Sequence, residues 1–224
     1  MICVIIVFAD DTDKETNIMK TIFFDFGRTI VEHPEDGAGL TLVKNAGVKD
    51  EEDAKLIRDV IFSVGKYANF LDEGSMERDE YKRLLKNELP ERLHEYAIKA
   101  TDYHISVLPM IKGMKELLQK LKNDGFKMYI TSNLDEYHSN QMHETEVAKY
   151  VDGMLFSSEI KVRKPYKEFF EAAFERFSVK PEDCIFIDDL AENVEGAEKC
   201  GIKGFVFKGN PDEAEKFIYE NGRD

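Results

Sequence analysis

The chain has 224 residues, of which 42% are apolar, and a formal net charge of −14. That length buries a sizeable core in one domain, or one domain with an insertion, and the apolar content excludes a disordered chain. The negative charge disfavours non-specific binding to nucleic acid or anionic membrane, and no apolar run approaches the ~20 residues of a membrane helix, so neither partner is expected. Three cysteines, Cys3, Cys184 and Cys200, are too few and too scattered for a disulfide framework or a metal knot. Cys184 and Cys200 read as small core residues, and a reducing cytoplasm is the expected compartment.

Residues 1–18 differ in character from the rest of the chain. The apolar run 2–9 lacks the basic flank of a secretory signal and gives way to Asp10-Asp11-Thr12-Asp13. Met19 is the expected natural start, with an extra strand or an ordered arm as the other reading of this extension. The first strand, Thr21-Ile22-Phe23-Phe24, ends at Asp25 and runs into Phe26-Gly27-Arg28-Thr29. From about residue 35 to 109 the pattern is helical. Leu56, Ile57, Val60, Ile61 and Val64 recur at helical spacing, as do Tyr81, Leu84 and Leu85, then Leu93, Tyr96 and Ala97. Asp50-Glu51-Glu52-Asp53 reads as a solvated helix start.

Beyond Pro109 the pattern alternates. Met114, Leu117, Leu118 and Leu121 form a helix face stopped at Asp124-Gly125. Strands are expected at 126–131, 154–156, 184–187 and 204–207, with apolar helix faces between them at 169–177 and 192–199. Strands alternating with helices predict a parallel α/β sheet with right-handed crossovers. The helical block then forms an insertion over 35–105, with the sheet domain made of 19–34 and 106–224. Residues 31–35 and 106–112 join the two as hinges.

Three of the predicted strands end on residues with chemistry. Asp25 is a candidate nucleophile: an ionised carboxylate attacks phosphorus, or a carbon bearing halogen, and leaves a covalent intermediate for water to cleave. Ser132 and Asn133 offer a hydroxyl and backbone N–H groups to phosphoryl oxygens. Lys164, in Arg163-Lys164-Pro165, neutralises the nucleophile and the charge of a transferring group, while Arg163 reads as an outward charge. Asp188 and Asp189 are adjacent carboxylates at a strand end, costly unless a cation balances them, and Mg2+ favours carboxylate oxygens. Arg28 adds a positive charge beside Asp25 or is a solvated loop residue. None of the five histidines has metal-ligand spacing, and His138 reads as a solvated loop residue.

Taken in this order, Asp25-Phe26-Gly27-Arg28-Thr29, Ser132, Lys164 and Asp188-Asp189 resemble the haloacid dehalogenase-like hydrolases, subfamily IA, with a helical cap after the first strand. The resemblance spans about residues 21 to 207 and implies a Rossmann-like, three-layer α/β/α core with an inserted α-helical cap, in which residues 70–76 resemble the turn linking cap helices. It implies that Asp25 is both nucleophile and Mg2+ ligand, that the Gly27 carbonyl binds the metal, and that Asp189 binds it directly. Asp188 would hold a metal-bound water, and Asn193 would support this loop. Gly27 stands where most family phosphatases carry an acid/base aspartate, so the first motif is a D-x-G variant. The expected function is Mg2+-dependent hydrolysis of a small phosphorylated metabolite, plausibly a sugar phosphate, by a monomer or homodimer. A hydrolytic 2-haloacid dehalogenase and a non-catalytic phospho-ligand binder are the alternatives, and Gly27 keeps the second of them open.

Overall fold

The computed structural model describes residues 21–33, 38–62 and 68–222. The readings of residues 1–18 and of Val64 fall outside these residues. Among the described residues five strands form one parallel sheet: β1 (Thr21–Phe24), β2 (Lys127–Ser132), β3 (Gly153–Phe156), β4 (Cys184–Asp188) and β5 (Lys203–Val206), in the order β3-β2-β1-β4-β5. All four residues of β1 are buried, which explains why the central strand reads as an unbroken apolar run rather than an alternation.

The side-chain period of two divides β1 between two cores. Ile22 and Phe24 join Met128, Ile130, Ile185 and Ile187 against α6 (Met114–Asn123) and α11 (Pro211–Asn221). Phe23 points the other way, packing with Leu155 and Phe186 against α9 (Lys167–Phe177) and α10 (Ala191–Lys199). The result is the expected three-layer α/β/α arrangement.

Among the described residues, a helical block lies between β1 and α6: α1 (Ala38–Asn45), α2 (Glu51–Phe62), α3 (Ala68–Asp72), α4 (Arg78–Glu88) and α5 (His94–Thr101). It has a hydrophobic cluster of its own, including Val43, Ile57, Ile61, Tyr81, Leu85 and Ala97. The Asp50 carboxylate accepts from the amides of Glu52 (3.0 Å) and Asp53 (2.9 Å), so the acidic run caps α2. The outgoing and returning chains run side by side: the Glu32 amide donates to Pro109 O (2.9 Å) and the Ile111 amide to Ile30 O (2.9 Å).

Two expectations shift. β2 begins at Lys127, not Phe126, because the Phe126 amide donates to Leu121 O (3.1 Å) and closes the C-terminus of α6 around Gly125, at φ +86°. Ser132 thereby becomes the last residue of the strand. Cys184 is a core residue as expected, but Cys200 is only partly buried because it sits at the end of α10.

Candidate active site

β1 pairs with β2 on one side and β4 on the other, with Phe24 opposite both Ile130 and Ile187. The Asp25 amide extends this ladder by donating to Ile187 O at 2.9 Å. The carboxyl ends of three neighbouring strands thus deliver Asp25, Ser132 and Asp188 to one edge, where chain connections diverge and open sheets form their ligand crevice. All three are buried, and Ser132 is 3% exposed.

Lys164 joins them. Its side chain is fully buried, and Nζ donates to Asp25 Oδ1 (2.7 Å), Asp188 Oδ2 (2.7 Å) and Thr131 O (2.8 Å). An ammonium has three protons, so its donor capacity is filled. Asn133 holds the lysine's backbone from both sides: Oδ1 accepts from the Lys164 amide (2.8 Å) and Nδ2 donates to Lys164 O (3.1 Å). The Asn133 side chain therefore enters the site through Lys164. Asn193 Nδ2 donates to both oxygens of Asp188 (3.0 and 3.1 Å), and the Leu190 amide donates to Asp188 Oδ1 (2.9 Å).

The cluster carries surplus negative charge. Asp25, Asp188 and Asp189 each place one oxygen within 4.8 Å of the others. Burial raises Asp25 above the ordinary carboxylate range; the Lys164 charge opposes this and Asp188 adds to it. Asp189 is pushed up to about 6 by burial and by the neighbouring Asp188, against the pull of Arg28 and Lys164. Burial alone would favour neutral Lys164, yet the charges of Asp188 and Asp25 outweigh it and raise its pKa. Three converging carboxylates that one lysine does not neutralise fit a hard divalent cation with oxygen ligands.

Arg28 adopts φ +55° and brings its guanidinium to 3.9 Å from Asp189 Oδ2, so it belongs to the site's rim rather than to open solvent. At Gly27 an added Cβ would lie 3.1 Å from His33 Cδ2, so the imidazole closes the space a side chain there would occupy.

The structure corrects two readings. His138 is 6% exposed, with Nδ1 2.5 Å from Asp135 Oδ2 and its ring 4.5 Å from that of Tyr103, because α7 (Glu136–Ser139) turns it inward. Arg163 does not project outward: it is half-buried and its Nε is fully enclosed. Asp72, at the end of α3, was legible only as part of a turn. Its carbonyl accepts from Ser157 Oγ (2.5 Å), whose oxygen accepts from the Leu134 amide (3.0 Å). This ties the helical block to the loop leaving β2.

A parallel sheet with carboxylates and a lysine converging at its carboxyl edge defines a class of α/β proteins with a strand-end crevice. The family profile described as haloacid dehalogenase-like hydrolase matches residues 22–207, and the chain belongs to that family. Among curated relatives it is 32% identical over 112 residues to Flavin mononucleotide hydrolase 1 of Arabidopsis thaliana, covering 50% of this chain and 45% of that one. It is 27% identical over 129 residues to the Phosphorylated carbohydrates phosphatase of Thermotoga maritima, covering 57% and 58%. The chain thus spans about half the length of these relatives. A haloacid dehalogenase family enzyme of Bacteroides thetaiotaomicron, solved with magnesium and inorganic phosphate, superposes with a TM-score of 0.62 at 20% identity, covering 86% of this chain and 96% of that one. At that identity the likeness concerns the fold.

Proposed function

We propose that the chain is a Mg2+-dependent phosphomonoesterase acting on a small phosphorylated metabolite of the sugar phosphate kind, in the cytoplasm. It is read as a subfamily IA member with a D-x-G first motif, its core formed by 19–34 and 106–224 and its cap by 35–105. The observation that carries this is the buried Lys164 ammonium shared by Asp25 and Asp188, beside a third carboxylate. The relatives' printed activities on phosphorylated carbohydrates and flavin mononucleotide support the substrate class.

Asp25 attacks phosphorus, the bond to the leaving oxygen breaks, and an aspartyl phosphate forms. Lys164 holds the Asp25 carboxylate in place and keeps positive charge beside the phosphoryl group. Ser132 and the backbone around Asn133 bind phosphoryl oxygens. Water then attacks phosphorus, regenerating Asp25 and releasing phosphate. Asp25, Asp188, Asp189 and the Gly27 carbonyl would hold Mg2+, whose charge offsets that of the phosphoryl oxygens. Asn193 fixes Asp188 for that task. No carboxylate stands at Gly27, so the leaving oxygen takes its proton from water or from the substrate itself.

The test is phosphate release from p-nitrophenyl phosphate and a panel of sugar phosphates, with and without magnesium. Metal-dependent turnover that falls by at least about 10³-fold in Asp25→Asn is expected. Turnover surviving that substitution, or absent from every phosphate tried, overturns the reading; halide release from 2-haloacids then tests the dehalogenase.

A further inference from the structure

Arg78 opens α4 in the helical block, yet its guanidinium reaches two other segments. Nη2 donates to Thr101 O (2.6 Å) and Asp102 Oδ1 (3.1 Å), where the chain returns towards the sheet. Nη1 donates to Asp135 Oδ1 (3.4 Å) on the loop leaving β2, and the guanidinium carbon lies 3.9 Å from the centre of the Tyr137 ring. Tyr137 Oη in turn donates to Asp102 O (3.2 Å). Beside these contacts is a cavity of about 220 Å³, lined by Leu71, Gly74 and Arg78 of the helical block and by Asp135, Tyr137 and Lys161 from beyond β2. Apolar packing leaves this seam unfilled, so the polar contacts across it hold its two sides together.

Asp135 is the joint. Its Oδ1 also accepts from the amides of Tyr137 (2.9 Å) and His138 (3.2 Å), and its Oδ2 meets His138 Nδ1. Burial works to raise this carboxyl, but the bond and charge of His138, and then the charge of Arg78, hold it below the ordinary range. Two residues earlier, Asn133 brackets the Lys164 backbone, and Ser132 directly before it ends β2. Between Asn133 and Asp135 the Leu134 amide is tied through Ser157 Oγ to Asp72 O. The helical block therefore grips this loop at two points, one neutral through Ser157 and one ionic through Arg78. The ionic pair has side chains only 19% and 13% exposed, so salt screens it little, and removing one partner leaves the other charge buried beside a lost counter-charge. We propose that Arg78 is a positioning residue for the phosphatase reaction: by closing on Asp135 it sets the loop from Ser132 to Asp135, so that Asn133 holds Lys164 between Asp25 and Asp188. This deepens the phosphatase reading and rests on it. The bonds of Arg78 run to Thr101, Asp102 and Asp135, so its effect reaches the phosphoryl group through the loop and does not depend on which group leaves.

The experiment measures kcat and KM for p-nitrophenyl phosphate and for the best sugar phosphate of the panel. It uses the wild-type protein, Arg78→Met, Asp135→Asn and the double variant, each checked for folding by circular dichroism. A misplacement of about 1 Å costs on the order of 100-fold, so Arg78→Met is expected to lower kcat by about 10- to 100-fold with both esters. The ratio of the two kcat/KM values is expected to stay within about threefold of wild type. Asp135→Asn keeps an oxygen for the α7 amides but removes the ion pair. In that background Arg78→Met is expected to cost less than about threefold further, because the two residues act as one. Arg78→Gln serves where the methionine impairs folding. A folded variant with wild-type kcat, whatever its melting temperature, overturns the positioning role and spares the phosphatase. So does a changed ester ratio, which would place Arg78 on the leaving group, and so does an equal cost of Arg78→Met in both backgrounds. No turnover of any phosphate by the wild-type protein overturns both.

Discussion

Asp25 and Asp189 bind protons in the folded protein at pH values where the unfolded chain has released them, because burial first, and then the charge of Asp188, raises both. For Asp189 the window runs from the ordinary 3.8 to about 6. Across it the folded state holds more protons than the unfolded one, so this group's contribution to stability falls as pH rises and stays lost above the folded value. Metal bound between these carboxylates removes the repulsion but must displace protons in acid. Magnesium is therefore expected to raise the melting temperature more at about pH 8 than at about pH 5, as read by calorimetry. An equal shift at both pH values would place the metal elsewhere. Gly27 poses the complementary question. Restoring an aspartate there meets His33, 3.1 Å from the new Cβ, so Gly27→Asp alone is expected to gain little. Paired with His33→Ala the carboxylate has room, and kcat is expected to rise by at least about tenfold, the low side of what a positioned acid/base supplies. Steady-state kinetics of the two single variants and the double variant measures this.

The elements explain how much of this was legible. The central strands β1 and β4 are buried throughout and read as apolar runs, all five strands lie within one residue of their expected bounds, and the polar residues at the ends of β1, β2 and β4 marked the crevice. Asp25, Ser132 and Asp188 were visible because a chemical group ends an apolar run, and Lys164 because Arg163-Lys164-Pro165 takes its place in the order of the family's motifs. Asp72, Arg163 and the inward turn of His138 were not. Their surroundings depend on how α3 and α7 lie against loops distant in sequence, which hydrophobic period does not encode. One close approach between elements was also silent. Gly196 in α10 faces the segment after Lys164, and a Cβ there would come within 2.6 Å of Pro165 O and 2.8 Å of Pro165 Cβ. Backbone cannot yield as a flexible side chain does. Gly196→Ala is expected to cost about 1–3 kcal/mol in chemical denaturation. It should also lower kcat, because the displaced strip carries the lysine between Asp25 and Asp188. A variant of unchanged stability would mean that α10 moves away freely.

At the scale of the molecule, a net charge of −14 meets a substrate read as anionic. Two cations near Asp25 are already committed: Lys164 is spent on two carboxylates and a carbonyl, and Arg28 leans on Asp189. Attraction therefore acts at short range, inside the crevice, whereas the field farther out repels a phosphate ester. Salt screens the long-range part more than the short-range contacts, because the Debye length shrinks from roughly 20 Å to about 7 Å between about 20 and 200 mM salt. Raising sodium chloride over that range at saturating magnesium is thus expected to lower KM for a phosphate ester with little change in kcat. A field that is net attractive at the crevice would give the opposite sign, with KM rising as salt is added, and a neutral one no slope. The direction of that slope reports whether the acidic surface or the buried cation cluster governs the approach of the substrate.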